Sequence, residues 1–596
     1  MNREATRFAA LLVGLVVAGC GGGDQQGADA ADVAGAADAD AADGGAPAKS
    51  DGASDLAFDG PSKPPPVTSN SGRLVVPGSL RLIGSGADSC TNQVPPAGDR
   101  WCGFARATST QGVQELWVID ATQAAKGVAI ACDGSDTSCV RLSTSVFRDP
   151  TKGFADSRFT GDTLTYEEAT AKSVFTSPFL GPIYAWRPGW AGPRALTTAS
   201  GVYCAGHARS DSAFCFENPL GDGMTTPLTI ELHAGHLSDA AGPTLPTIDT
   251  IILSVGTDPV GATPKFQFGL SPDGLYVVWS ARPTPAGVET LKALKVGADA
   301  SLKLMVAADV SQWAIARDGT SWYWLAGYNY DVTGAPAGTL QAASFPDGAG
   351  ATTVAPNVGE FSLVGDRGLW FRANVAAQVG TLNWMADRGA PAVVRTVDTD
   401  VLVVFDETQD GAGFVYAKNF TTLSPVTDSA GGASQPFNLV DLYLGSGTGA
   451  TPCTLADAPT AFQGALLPSG SGVVWERFNQ VTGDTEGLET MAKSCTSTQF
   501  AARLRKVSPA MDQGLVYLDD SDPAADESTL RYAPIEEGTP GMGTQLQTRA
   551  ASVFSVLLPA LPAVVYTVGA QSSSDGLYIN DALPFTAAPA PPAASP

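Results

Sequence analysis

From Phe266 to Trp279 the chain reads FQFGLSPDGLYVVW, and the fold turns on how this stretch is read. Phe266 and Phe268 alternate with Gln267 and Gly269, the period of two expected of a half-buried strand. Ser271-Pro272-Asp273-Gly274 is turn chemistry. Proline presets its φ, aspartate bonds nearby backbone, and glycine takes a positive φ without steric cost. Leu275 to Trp279 then forms a second apolar strand, so the stretch predicts a hairpin. Two more runs with β character follow, 290–296 and 301–306.

The pattern then restarts. Gln312 to Trp324 reads QWAIARDGTSWYW and Glu360 to Phe371 reads EFSLVGDRGLWF. Further echoes begin at Gln409 (QDGAGFVY), Ala465 (ALLPSGSGVVW), Met511 (MDQGLVYL) and Val556 (VLLPALPAVVY). The turn glycines Gly274, Gly319, Gly368, Gly411, Gly470 and Gly514 lie 45, 49, 43, 59 and 44 residues apart. A period near 45 with four strands per repeat predicts propeller blades. Helical repeats would need long apolar stripes at helical spacing, and there are none. Less regular candidates lie near Trp101, Asp162 and Cys204, which brings the count to about ten. Since propellers ordinarily have about four to eight blades, seven or eight is the expectation. The apolar stretch Ala551 to Ala570 is interrupted by Pro559 and Pro562, so it reads as two strands around a turn and not as a membrane helix.

Leu270-Ser271-Pro272-Asp273-Gly274, followed by Val277-Val278-Trp279, resembles the blades of TolB-like and WD40-like β-propellers, in which such a turn precedes an apolar strand. The resemblance implies an all-β propeller of four-stranded blades over residues 73–584. Only this repeat carries the turn intact; the others keep Asp-Gly, Asp-Arg-Gly or Ser-Gly. The Gly-His and Trp-Asp pairs of WD40 repeats are missing.

Working outward to the start of the chain, Arg3 and Arg7 precede a short apolar run from Phe8 to Ala18. Val16-Val17-Ala18-Gly19-Cys20 resembles the lipobox of bacterial lipoprotein signal peptides. That resemblance implies cleavage after residue 19 and lipidation of Cys20, which would tie the protein to a membrane. Residues 20–72 are rich in Ala, Asp, Gly and Pro and bury too little to order themselves. They read as a disordered tether reaching on the order of 40 Å, and 585–596 reads as a disordered Ala/Pro tail. Gly21 in place of Asp after the anchor points to the outer membrane of a bacterial envelope, on its periplasmic or surface side.

The formal net charge is −25, which argues against nucleic acid as a partner. With Cys20 set aside for lipid, eight of the nine cysteines remain, an even number that fits disulfides in an oxidising compartment. They fall into the couples Cys90/Cys102, Cys132/Cys139, Cys204/Cys215 and Cys453/Cys495, and pairing by neighbourhood is the expectation. CxxC knuckles for zinc are absent.

No catalytic motif, metal site or cofactor site emerges. Glu231, His233 and His236 have a spacing that invites a metal. However, they continue a strand-like run in which i and i+3 face opposite sides, so they read as surface or turn residues. Ser271 sits in the blade turn, not in a nucleophile elbow. Asp318-Gly319 departs from the sialidase Asp-box, and the acids Asp398, Asp400, Asp519, Asp520 and Asp522 read as solvated turns more than as calcium loops. The leading expectation is an envelope binding module that takes a protein or glycan on its loop face, with Trp186, Trp190, Tyr328 and Tyr330 as possible anchors. The alternative is a polysaccharide hydrolase or lyase with carboxylates at the channel mouth. A cluster of acids with raised pKa in the funnel would favour it.

Overall fold

The computed structural model describes residues 72–581 apart from short loop stretches, of which 169–181, 255–266 and 424–436 are the longest. Cys20, the signal segment, the tether up to residue 71 and the Ala/Pro tail lie outside the described residues.

The hairpin read from the sequence is present. Strand Phe268–Leu270 pairs antiparallel with Tyr276–Ala281, which pairs with Thr290–Lys295, which pairs with Leu304–Ala308. Between the last two, Asp299 caps a short 3-10 turn, Ala300–Leu302, so the fourth strand starts later than residue 301. In the turn, Gly274 has φ 72° and its N–H donates to Ser271 O. The same bond recurs from Gly319 to Ala316 and from Gly470 to Leu467. One local chemistry thus sets one local geometry three times.

Described strands form eight sheets, five of four strands, one of five and two of seven. Each seven-stranded sheet divides at a long strand. The first part of Thr352–Val364 pairs with Ala337–Ser344 and the rest with Gly368–Ala376. Thr544–Val556 is shared in the same way between Ser528–Pro534 and Val564–Val568. Counted so, there are ten four-stranded units: 80–149, 158–195, 201–254, 268–308, 310–358, 360–401, 403–459, 465–501, 504–550, and a tenth built from 554–580 and 73–77. We number them 1 to 10.

Ten apolar clusters join consecutive units. Trp186 and Phe159 meet Val118 between units 1 and 2, and Trp475 meets Val415 between units 7 and 8. Val76, Val565 and Leu577 of unit 10 pack on Leu80, Trp117 and Ile119 of unit 1, so the circuit closes. The fold class is the expected propeller. Among the described residues the number of units is ten and not the seven or eight favoured by ordinary ring sizes. Two causes account for the difference: the irregular repeats near Trp101, Asp162 and Cys204 are complete units, and shared strands let two further pairs fit into short stretches of chain.

Closure is made by the N-terminal strand. Arg73–Pro77 pairs antiparallel with Gly576–Asn580, supplying the fourth strand of unit 10. Arg73 also donates to Ala124 O and, at 3.1 Å, to Ala125 O in the short helix Ala121–Ala125 of unit 1. Ala551 to Ala570 contributes to the strands Thr544–Val556 and Val564–Val568, and among the described residues no helix is long and apolar enough to cross a membrane.

A recurring aromatic reaches from the second strand of a unit to the outer strand of the unit before. Tyr166 Oη donates to Leu142 O (3.1 Å), Trp279 Nε1 to Asp249 (2.8 Å), Tyr416 Oη to Asp398 (2.6 Å) and Tyr517 Oη to Phe500 O (3.0 Å). Each ring is buried in an apolar seam while its polar tip finds a partner, which is why Tyr and Trp and not Phe stand at these positions.

Disulfides join Cys90–Cys102, Cys132–Cys139, Cys204–Cys215 and Cys453–Cys495. Three lie within units 1 and 3; the fourth ties the outer strand of unit 7 to unit 8. Each contributes about 2–4 kcal/mol by restricting the unfolded chain. Four such bonds fit an oxidising, extracytoplasmic compartment.

One buried group works against stability. Glu489, on strand Thr485–Met491 of unit 8 between Val474 and Thr498, is 3% exposed, and neither carboxylate oxygen has a hydrogen-bond partner among the described residues. Desolvation pushes its carboxyl above the usual Glu range. Because the folded value lies above the unfolded one, its contribution to stability is fully present below the ordinary Glu pKa and is lost as pH rises through the raised value. Glu489→Met is therefore expected to stabilise the protein at neutral pH by about 1–3 kcal/mol. Urea unfolding of both proteins at pH 4 and pH 8 checks this, and an equal gain at the two pH values would contradict it.

Candidate functional site

The turns between first and second strands, and those between third and fourth, lie on one face of the ring, here called the turn face. At unit 3, His207 accepts the Ser210 N–H at Nδ1 (2.9 Å), which leaves Nε2 to carry the proton toward Pro272 O of unit 4 (3.1 Å). Ser212 Oγ donates to Gly274 O (2.6 Å). A Cβ on Gly274 would lie 2.0 Å from Ser210 Oγ, so glycine is required here by close approach as well as by its φ. The Ser-Pro-Asp-Gly turn is thus a docking point for the neighbouring unit. Ser271 serves the turn: its Oγ donates to Asp273 (2.5 Å) and accepts the Tyr276 N–H (2.9 Å).

Beyond His207 the face becomes charged. Arg187, on the third-to-fourth turn of unit 2, donates to Thr163 Oγ1 (2.7 Å) and Ser210 O (2.6 Å) and approaches Asp211 (3.4 Å). Asp162 sits in the first turn of unit 2, close enough to feel both Arg187 and Arg100 of unit 1. Partial burial raises its carboxyl in spite of those two cations. Burial in turn lowers the pKa of Arg100 and of Arg187, though a guanidinium stays charged.

On the other side of Pro272 the face is uncharged and mixes apolar with polar groups. A niche of about 150 Å3 opens beside the first strands of units 4, 5 and 6, lined by Phe268, Leu270, Pro272, Trp313 and Leu363 together with the polar Gln267 and Ser362. The first strands around it are linked in sequence: Gln267 Oε1 accepts the Trp313 N–H (2.8 Å) and Gln312 Nε2 donates to Phe361 O (2.8 Å). Trp313 packs edge-on against Trp322 at 5.9 Å, and its indole N–H is buried without a hydrogen-bond partner among the described residues.

The residues singled out in the sequence fall in several places. Trp186 is fully buried in the seam between units 1 and 2. Trp190 is half-buried on the turn face, with Arg194 over its ring at 4.2 Å. Tyr328 is half-buried and donates to Gly359 O, while Tyr330 lies outside the described residues. His233 is buried on the strand Leu228–His236, which corrects the expectation of a surface or turn residue there, and His207 is buried in the first turn of unit 3. His233 faces Leu245 O through Nδ1 (2.8 Å) and meets Glu231 (3.3 Å) and Glu217 (3.4 Å) at Nε2. Glu217 arrives from the adjacent strand, so spacing along one strand gave no sign of it. Among the described residues no group of three acids, histidines or cysteines is placed to hold a metal. Asp398 is occupied by Tyr416 and Lys418 (2.6 Å each) and Asp519 by Arg531 (3.2 Å), so both serve packing; Asp520 and Asp522 lie outside the described residues. Arg100, Arg187, Gln267 and Trp313 were not visible as site residues, because none belongs to a motif.

No protein-family model matches the chain, and no curated protein matches it in sequence. Solved structures do resemble it in fold. A crystal structure of a eukaryotic initiation factor aligns over 75% of this chain and 96% of its own at 11% identity and TM-score 0.41. The β-propeller domain of the Trilobed protease from Pyrococcus furiosus aligns over 53% and 96% at 9% identity and TM-score 0.26. Prolyl oligopeptidase B from Galerina marginata aligns over 78% and 57% at 12% identity and TM-score 0.33. Similarity at this level concerns the fold and says nothing about activity.

Proposed function

We propose that the chain is a binding module of the bacterial envelope, anchored through a lipidated Cys20 to the outer membrane, which holds a protein or glycan partner on its turn face. The observation that carries this reading is the contrast between the carboxyls and the niche. Among the described residues the acids with raised pKa are Asp162 in unit 2 and Glu489 in unit 8, too far apart around the ring to act as an acid and base pair. The niche, by contrast, is an uncharged recess of aromatic and aliphatic side chains with Gln267 and Ser362 at its wall, the kind that takes one anchoring group of a partner, and a cavity of about this size admits a single aromatic ring.

Gly269 supplies a direct test. A Cβ there would meet only Trp313 Cη2, at an ordinary 3.8 Å, so Gly269→Leu fills the niche without breaking the strand. Exported, disulfide-intact protein is used to capture partners from detergent-solubilised envelope. Wild type is expected to retain one partner reproducibly, and Gly269→Leu to reduce that retention at least about tenfold with an unchanged melting midpoint. Undiminished retention by Gly269→Leu would remove the niche from the site. Retention of nothing by wild type would remove the binding reading itself and return attention to polysaccharide cleavage.

A further inference from the structure

We infer that the Cys453–Cys495 disulfide is a site of thiol–disulfide exchange, a clasp between units 7 and 8 that an external dithiol opens while the other three disulfides stay closed. The inference goes beyond the binding reading and does not depend on it.

Cys495 lies in the turn 492–496, which joins the third and fourth strands of unit 8, Thr485–Met491 and Ser497–Ala501. Every residue of that turn is exposed, Cys495 included. Its partner Cys453, at the head of the outer strand Cys453–Pro459 of unit 7, is 3% exposed and belongs to the apolar cluster between the two units. A thiolate attacks a disulfide in line with the S–S bond, so the sulfur it reaches must be accessible and the leaving sulfur must lie behind it. Here the exposed cysteine stands in front and the buried one behind. Cys90, Cys102, Cys204 and Cys215 are buried at both ends of their bonds, and the remaining couple offers only a half-buried Cys132 in front of Cys139.

The backbone favours the open state once the bond is cut. Cys495 has φ 53°, in the left-handed region that a residue with a Cβ adopts at a cost. Its bond to Cys453 and its N–H bond to Met491 O (2.9 Å) hold it there, so cleavage relieves part of that strain. Cys204 and Cys215 sit opposite each other on paired strands, as do Cys90 and Cys102, and their thiols would stay face to face and close again. Cys453 and Cys495 are 42 residues apart and on different units.

In the first step a thiolate of the dithiol bonds to Cys495 Sγ, the S–S bond breaks, and its electron pair leaves on Cys453 Sγ, which takes up a proton. The second sulfur of the dithiol, deprotonated, then displaces Cys495 from the mixed disulfide, and Cys495 takes up a proton in turn. The protein disulfide is reduced to two thiols and the dithiol is oxidised to a disulfide; the two protons it gives up balance those gained by the cysteines. Units 7 and 8 stay together, because the Leu466 N–H still donates to Asp406 (3.0 Å) and Trp475 still packs on Val415. Only the turn 492–496 is released from the outer strand of unit 7.

The exported full-length chain in detergent micelles is treated with graded dithiothreitol at neutral pH, quenched with acid, alkylated and mapped by peptide mass. Cys453 and Cys495 are expected to be alkylated at least about tenfold faster than the other three couples. Another couple opening first, or all four opening together, would overturn the proposal. A Cys453→Ser, Cys495→Ser double variant serves as the permanently open form. Its amide hydrogen exchange should rise at least about tenfold over 453–458 and 492–498 and match wild type in units 1 to 5. Exchange unchanged over those two segments, or raised throughout the ring, would show that the bond is no local clasp.

Discussion

A chain that begins at residue 80 is expected to lose its closed ring. Without Arg73–Pro77 the strand Gly576–Asn580 becomes an open edge, and the cluster between units 10 and 1 loses Val76, which is 2% exposed. The Arg73 bonds to Ala124 and Ala125 and its pair with Asp581 (3.6 Å) go with it. Burial of Val76 alone contributes about 1.5–3 kcal/mol, and the ladder bonds add to that. An exposed, apolar strand edge also invites pairing between molecules. The truncated protein should therefore melt at lower temperature, lose cooperativity and form oligomers in sedimentation velocity. Adding a peptide of residues 72–79 in trans should reverse part of both effects. A truncated chain that stays monomeric with the wild-type midpoint would mean that closure resides elsewhere.

The second large effect is expected at Trp279. This ring has no exposed surface, fills the seam between units 3 and 4, and donates from Nε1 to Asp249. Asp249 also takes Lys292 (2.8 Å) and Lys303 (3.0 Å). Burial by itself would raise its carboxyl, but the bonds from both lysines and from Trp279 hold it below the ordinary Asp range. Trp279→Ala should cost about 3–5 kcal/mol through the cavity it leaves. Trp279→Phe keeps most of the apolar contact and should cost about 1–2 kcal/mol, the loss of one charge-assisted bond. Both are measured by urea unfolding at pH 7. Since the folded pKa of Asp249 is depressed, its stabilising contribution is present above the ordinary Asp value and is lost as pH falls through the folded one. The gap between wild type and Trp279→Phe should accordingly narrow on acidification. Equal costs for the two variants would show that packing, and not the bond to Asp249, carries the effect.

The strand pattern, the turn glycines and the aromatic of each second strand were legible because they are local. A hairpin is decided by residues a few positions apart, and Ser271, Asp273 and Gly274 make the same bonds whatever surrounds them. Neighbouring cysteines were legible for a related reason: cross-strand partners such as Cys204 and Cys215 sit opposite each other in one hairpin. The candidate site was mostly not legible. His233 meets Glu217 only because two strands lie in register, and Arg100, Asp162 and Arg187 converge from two units.

By itself, then, the sequence determined the repeating hairpins, the all-β class and the pairing of the three close cysteine couples, since each depends on short-range chain geometry. Tertiary structure alone decided that ten units close one circuit, that Arg73–Pro77 completes the last of them, and that His233 comes to face Glu217 from the adjacent strand. These follow from how successive units pack and from contacts between residues roughly 500 positions apart, such as Arg73 with Ile579. No period or motif in a single chain encodes the angle at which one unit meets the next.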